Sequence, residues 1–269
     1  MKAHIEANEE KGKAKLLRNI AQRIPSARIF HRTIRKRQES NAKNNGMALD
    51  DASKNSSVSH QYGEEGKSVA KGAPDEVRVS YVDGRKDHVY YGIIRGLLKA
   101  ICRENDSICD VGSFDTDMLS DLPCKRKLTV DLRTPFSSDD VEGIKADYLQ
   151  WQAEKLDVIT CFQVLEHIDD NHVEAFAKKL LNDAPVAVVS VPYMWPKGSC
   201  KWHVQDPVDV EKLVGWFGKK PVFIQKAKEK FKSPKNSRII AIFVRGVDGE
   251  IDMDYWKKDA EKHVSAYSK

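Results

Sequence analysis

Long apolar runs are missing from this sequence. No segment approaches the ~20 apolar residues that span a bilayer, and no apolar stretch with a cleavage site follows the charged N-terminus. The chain is therefore expected to be cytoplasmic, neither transmembrane nor exported by a signal peptide. Cysteine is sparse: Cys102, Cys109, Cys124, Cys161 and Cys200 are odd in number and form no C-x-x-C pair. That spacing excludes zinc-ribbon and dithiol signatures and fits reduced thiols. Glycine is also scarce where it would be informative. In SICDVGSFDTDML, residues 107–119, a strand runs into a turn with one glycine, Gly112, where nucleotide-binding loops hold two or three. There is no internal repeat.

Acidic residues are absent from Lys11 to Arg37, which carries ten Lys or Arg. Subtracting these ten from the formal charge of +5 leaves −5 on the rest of the chain, a mildly acidic body. Leu16, Leu17, Ile20 and Ile24, then Ala27, Phe30 and Ile34 beyond Pro25, predict two short basic amphipathic helices within residues 1–37. Such a face suits an anionic membrane surface or an acidic partner, or else caps the domain. Residues 38–75 are rich in Ser, Asn, Lys, Gly and Glu and predict a flexible linker. Residues 76–269 carry the domain.

Within it, apolar strand patterns alternate with amphipathic helices. Tyr91, Ile94, Leu97, Leu98 and Ile101 keep helical spacing. SICDVG, KLTVDL, LDVITCF and PVAVVSVP read as strands, HVEAFAKKLLND as a helix, and KPVFIQKAKE and SRIIAIFVR as a pair of strands joined by SPKNS. The expected fold is α/β, a Rossmann-like doubly wound and mostly parallel sheet with an antiparallel edge hairpin.

In such a sheet ligands sit at the carboxyl ends of the strands, where strand order reverses. Asp110 and Gly112 close the first strand, Asp131 the second, and Asp147 precedes the fourth. A carboxylate after the second strand can accept both ribose hydroxyls, and one after the third can meet the adenine amino group. A pyrophosphate would need further glycines and a helix N-terminus, whereas Phe114 and Thr116 occupy those places. The pattern favours a nucleoside cofactor lacking a pyrophosphate. Taken singly, each acid could equally cap a helix or turn.

S-adenosylmethionine has that profile, and the chain resembles the class I methyltransferases from about Tyr90 to Arg245. DVGSFDT stands at their glycine loop, VDL at their ribose acid, ADY at their adenine contact, and LDVITCFQVLEHIDD at the strand and turn that follow. The resemblance implies S-adenosylmethionine as cofactor, held by Asp110, Gly112, Phe114, Asp131, Asp147, Tyr148, Phe162 and Gln163. Glu166 and His167 are then expected to orient the turn rather than move protons. Asp169 and Asp170 are expected to begin the next helix, and the sequence offers no evident metal ligand set.

VPYMWPKGSCKWHVQDPVDVEKL, from Val191 to Leu213, follows a buried strand and brings site-forming residues to an irregular loop. Tyr193, Trp195 and Trp202 are candidates for binding an acceptor. His203 is the candidate base, with Asp206 holding its ring. His203 could equally be bonded to the loop backbone, and Asp206 could cap a helix beginning at Pro207. The loop resembles that of bacterial class I methyltransferases accompanying glycosyltransferases in surface-polysaccharide assembly. That likeness implies O-methylation of a sugar or glycan hydroxyl, with the basic N-terminal helices at the inner face of the membrane. Rival readings are a nucleic-acid or protein methyltransferase and an inactive scaffold of the same fold. The absence of an Asn-Pro-Pro-Tyr type turn after LDVITCF, and an acidic body, argue against nucleic acid.

Overall fold

The computed structural model describes residues 85–267, and seven strands among them form one sheet in the order β3-β2-β1-β4-β5-β7-β6. They are β1 (Ser107–Val111), β2 (Arg126–Asp131), β3 (Glu142–Lys145), β4 (Val158–Phe162), β5 (Val186–Pro192), β6 (Phe223–Lys228) and β7 (Ser237–Val244). Strands β1 to β5 pair in parallel, and β7 runs antiparallel to both β5 and β6. Chain order therefore reverses between β1 and β4. The expected basic helices at 1–37 and the linker at 38–75 lie outside the described residues.

β5 and β7 are buried at every position, so their sequences are apolar on both faces of the sheet rather than alternating. One core layer joins α1 (Val89–Ile101) to Ile108, Val158, Val188 and Ile240. The opposite layer joins α2 (Val173–Asp183), α3 (Val210–Phe217) and α4 (Met253–Tyr267) to Val111, Ile159, Val189 and Ala241. Along α1, Tyr90, Tyr91, Ile94, Leu97 and Leu98 form the buried stripe, each side chain contributing on the order of 1.5–3 kcal/mol. An acid from the far edge receives the start of α1: Glu229, just after β6, accepts hydrogen bonds from the amides of Val89 at 2.8 Å and Tyr90 at 3.2 Å. Negative charge is favourable there because the first amides of a helix have no internal acceptor.

Two elements depart from the expectation. β3 is four residues long and half exposed, too short for its periodicity to be read. α4 was not anticipated, because Trp256 is the one buried large side chain among its described residues. The crossovers from β1 to β2 and from β2 to β3 contain turns and no helix. No helix N-terminus therefore stands behind Gly112.

Candidate functional site

Asp110 on β1, Asp131 closing β2 and Asp147 just past β3 come from adjacent strands and so approach the carboxyl edge in a row. Their surroundings divide them. Asp131 is half-buried; its Oδ2 accepts from the Phe114 amide at 3.0 Å and its Oδ1 from the amides of Arg133 at 2.8 Å and Thr134 at 2.9 Å. A carboxylate has about four acceptor sites, so capacity remains for a hydroxyl. Asp147 is exposed and accepts from the Leu149 amide at 2.9 Å. Asp110 is buried, its Oδ1 taking the Thr160 hydroxyl at 2.6 Å, and burial pushes its carboxyl up to about 7. Asp110 is a strut between β1 and β4 rather than a lining of the edge.

The loop after β1 keeps its curvature with one glycine. Gly112 has φ +76°, and a Cβ there would lie 2.4 Å from Val164 Cγ2. The glycine thus admits Val164, which precedes the turn after β4. Phe114 (φ 39°) and Asp115 (φ 54°) adopt the left-handed backbone that glycines usually supply. They are held there because Asp131 takes the Phe114 amide and the Thr134 carbonyl takes the Asp115 amide at 2.8 Å.

Across the switch point, the chain leaves β4 through Phe162, half-buried against the α1 core, and Gln163, whose φ is +58°. Gln163 donates from its amide to the Ser190 carbonyl at 2.8 Å, and its side chain accepts from Arg238 Nε at 3.1 Å. A 3-10 turn, Leu165–His167, follows. Glu166 is 0% exposed, neither carboxylate oxygen has a hydrogen-bond partner, and burial pushes its carboxyl up to about 8. The loop after β5 folds back onto this turn, with the amides of Val204 at 2.9 Å and Gln205 at 3.2 Å donating to the Glu166 carbonyl.

That fold-back assembles a cluster. His203 Nδ1 lies 2.8 Å from Asp206 Oδ2, and His167 Nδ1 lies 2.9 Å from the Trp202 carbonyl. The two imidazoles meet edge to face at 4.8 Å. Trp195 stacks on His203 at 5.3 Å, and the Arg238 guanidinium lies 5.1 Å from the Trp195 ring. One ligating atom from each of Glu166, His167 and His203 lies within 4.8 Å of the others.

No family model matches the sequence, and no curated protein does. Among solved structures, the N-methyltransferase NodS from Bradyrhizobium japonicum WM9, in complex with S-adenosyl-L-homocysteine, is 16% identical with a TM-score of 0.48, covering 65% of this chain and 94% of that one. Magnesium protoporphyrin IX methyltransferase from Synechocystis PCC 6803, with bound SAM, is 18% identical with a TM-score of 0.44, covering 64% and 87%. This chain's own strand order, with β7 antiparallel to its neighbours, is that of a Rossmann-like, mostly parallel α/β sheet.

Several expected residues sit elsewhere than the sequence implied. The Tyr148 side chain is buried, donating to Asp183 on α2 at 2.7 Å, because it points into the core beneath the edge. Tyr193 is fully buried and donates to Asp259 on α4 at 2.8 Å, so it anchors a helix and presents nothing to an acceptor. Trp195 is 8% exposed, with its indole N–H donating to the Ser237 carbonyl at 2.9 Å; it packs on His203. Trp202 is 57% exposed, with Lys201 Nζ 4.6 Å from its ring centroid. Asp206 does not cap a helix: α3 begins at Val210, and Asp209 caps it by accepting from the Lys212 amide at 2.7 Å. Asp169 and Asp170 lead into α2, which starts at Val173: the Asp169 carbonyl accepts from the Val173 amide at 3.0 Å and its carboxylate from the Asn171 amide at 3.0 Å, while Asp170 accepts from the Gln205 side chain at 2.9 Å. Arg238 and Gln205 were not anticipated; the signal for Arg238 was one arginine inside the apolar run SRIIAIFV.

Proposed function

We propose that the protein transfers a methyl group from S-adenosylmethionine to a hydroxyl of a sugar or glycan. The observation that carries the reading is the placement of Asp131 and Asp147 at the ends of adjacent strands beside the switch point, with a titratable cluster on the other side of it. The fit to the cofactor is chemical. Asp131 retains acceptor capacity for ribose hydroxyls and Asp147 is an exposed acceptor for an amino group. The turn at Gly112 has no helix N-terminus behind it, which disfavours a pyrophosphate and costs a cofactor without one nothing. Phe162 and Gln163 close the methionine end through packing and backbone.

When bound, this cofactor supplies an electrophilic methyl on a sulfonium sulfur. The chain's own residues align the acceptor and take up its proton. In the metal-free chain His203 is the group suited to that proton, since Asp206 fixes Nδ1 and leaves Nε2 as the free nitrogen of the ring. Trp202 offers an exposed aromatic face next to this centre, a surface on which a sugar ring stacks.

Calorimetry tests the reading. S-adenosylhomocysteine is expected to bind with micromolar affinity, about −8 kcal/mol, and Asp131→Ala to lose that binding. A folded wild-type chain that binds neither S-adenosylmethionine nor its product would overturn it.

A further inference from the structure

We infer that Glu166, His167 and His203 hold a divalent first-row transition-metal ion. Three features support the site. First, one ligating atom from each residue lies within 4.8 Å of the others. Tetrahedral bonds of about 2.1 Å place ligand atoms about 3.4 Å apart, so the side chains need to close by at most about 1.4 Å.

Second, both imidazoles are prepared as ligands. His167 Nδ1 faces the Trp202 carbonyl, which only accepts, so Nδ1 carries the proton and Nε2 the lone pair. His203 Nδ1 faces Asp206 Oδ2 with the same result. Anchoring one ring nitrogen on a carbonyl or carboxylate is the usual support for a metal-binding histidine, because it fixes tautomer and orientation.

Third, Glu166 is 0% exposed and has no partner for either oxygen. A buried carboxyl group with neither oxygen bonded is costly, and its ionised form calls for a cation. Arg238 and Arg85 reach it only through space and make no hydrogen bond to it; the Arg238 Nε is bonded to Gln163 and its Nη1 lies 3.7 Å from Glu229. Asp206 Oδ1 is likewise buried without a partner and can back a fourth ligand.

The donor set selects the ion. Two imidazole nitrogens and one carboxylate suit zinc, manganese, iron or cobalt, whereas magnesium and calcium prefer all-oxygen shells. Three protein ligands leave a position open for the acceptor oxygen. On the methyl-transfer reading, on which this role rests, the ion takes over from His203 as the agent of deprotonation. The bound hydroxyl loses its proton to water; the oxygen–carbon bond forms as the carbon–sulfur bond breaks, and the sulfonium charge is discharged.

The test uses the full chain stripped by chelation and dialysis, then titrated with Zn²⁺, Mn²⁺ or Co²⁺ by calorimetry, with Co²⁺ also followed by its visible absorption. One equivalent is expected to bind. Asp206→Asn should weaken binding about 10–100-fold, and Glu166→Gln and His203→Asn should weaken it more. Circular dichroism checks that each variant is folded. Absence of metal binding by the folded wild type, or equal affinity in all variants, would overturn the inference. S-adenosylhomocysteine affinity of the stripped chain separates the two readings: cofactor binding without metal binding sinks this inference alone, and metal binding without cofactor binding sinks the methyl-transfer reading alone.

Discussion

Replacing Gly112 with alanine tests how the two halves of the site are joined. Two costs arise. At φ +76° an alanine Cβ disfavours the left-handed backbone by about 1 kcal/mol. The same Cβ would lie 2.4 Å from Val164 Cγ2 and 3.2 Å from Cγ1, and valine cannot easily swing aside because its χ1 is stiff. Overpacking of this kind costs roughly 1–3 kcal/mol, so Gly112→Ala should lose about 3 kcal/mol in all. Val164→Ala removes both offending carbons. In that background Gly112→Ala should cost about 1 kcal/mol, the backbone part alone, giving a coupling near 2 kcal/mol. Urea unfolding of the four chains of the cycle, with unchanged m-values, reads this directly. Additivity within about 0.5 kcal/mol would show that Val164 is not what requires glycine here, and would refute the account of the one-glycine turn.

Two further outcomes follow from single residues. Asp110 titrates at about 7 in the folded chain against an ordinary 3.8. Below about pH 3.8 both states hold the proton; as pH rises toward 7 the unfolded chain has released it while the folded chain has not. Stability therefore falls through that window by at most about 4 kcal/mol, and Asp110→Asn should flatten this part of the urea-midpoint profile. Asp209→Ala removes the cap of α3 and should cost about 1 kcal/mol in urea unfolding, with α3 the element that loosens in hydrogen exchange.

The sheet was legible because its central strands are buried on both faces and read as short apolar runs bounded by turns, as VAVVSVP and SRIIAIFV do. β3 was hidden by its length, and α4 by having too few apolar positions to show a period. The shared edge of Asp131 and Asp147 was legible because one closes a strand and the other lies just past the next, and strand ends in this topology share one edge. The contact between His203 and Asp206 was anticipated at a spacing of three. Its junction with Glu166 and His167 was not, since it exists only once the loop after β5 has folded back on the turn after β4. The aromatic side chains misled for a related reason. A tyrosine at the end of a strand can point into the core or out of it with no change in sequence pattern, and Tyr148 and Tyr193 both point in.

That fold-back also explains how a carboxylate can stand without a partner. The turn after β4 and the loop after β5 are joined mainly by atoms that do no chemistry. The Glu166 carbonyl takes two loop amides, and the Gln205 side chain bonds the Ile168 carbonyl at 2.7 Å and Asp170 at 2.9 Å. Met194 is tied to the Val208 carbonyl at 2.9 Å, so both ends of the loop are held. With position secured by these bonds, the Glu166 carboxyl group is not needed as a strut. An unpartnered buried acid is expensive wherever it occurs. Here the surrounding bonds over-determine its place, which is the condition under which a costly arrangement persists at a functional site. The other half of the edge, by contrast, presents Asp131 and Asp147 on strand ends whose loops lack helices. On the proposed function, one half of the edge receives the cofactor and the other is braced to act on the acceptor.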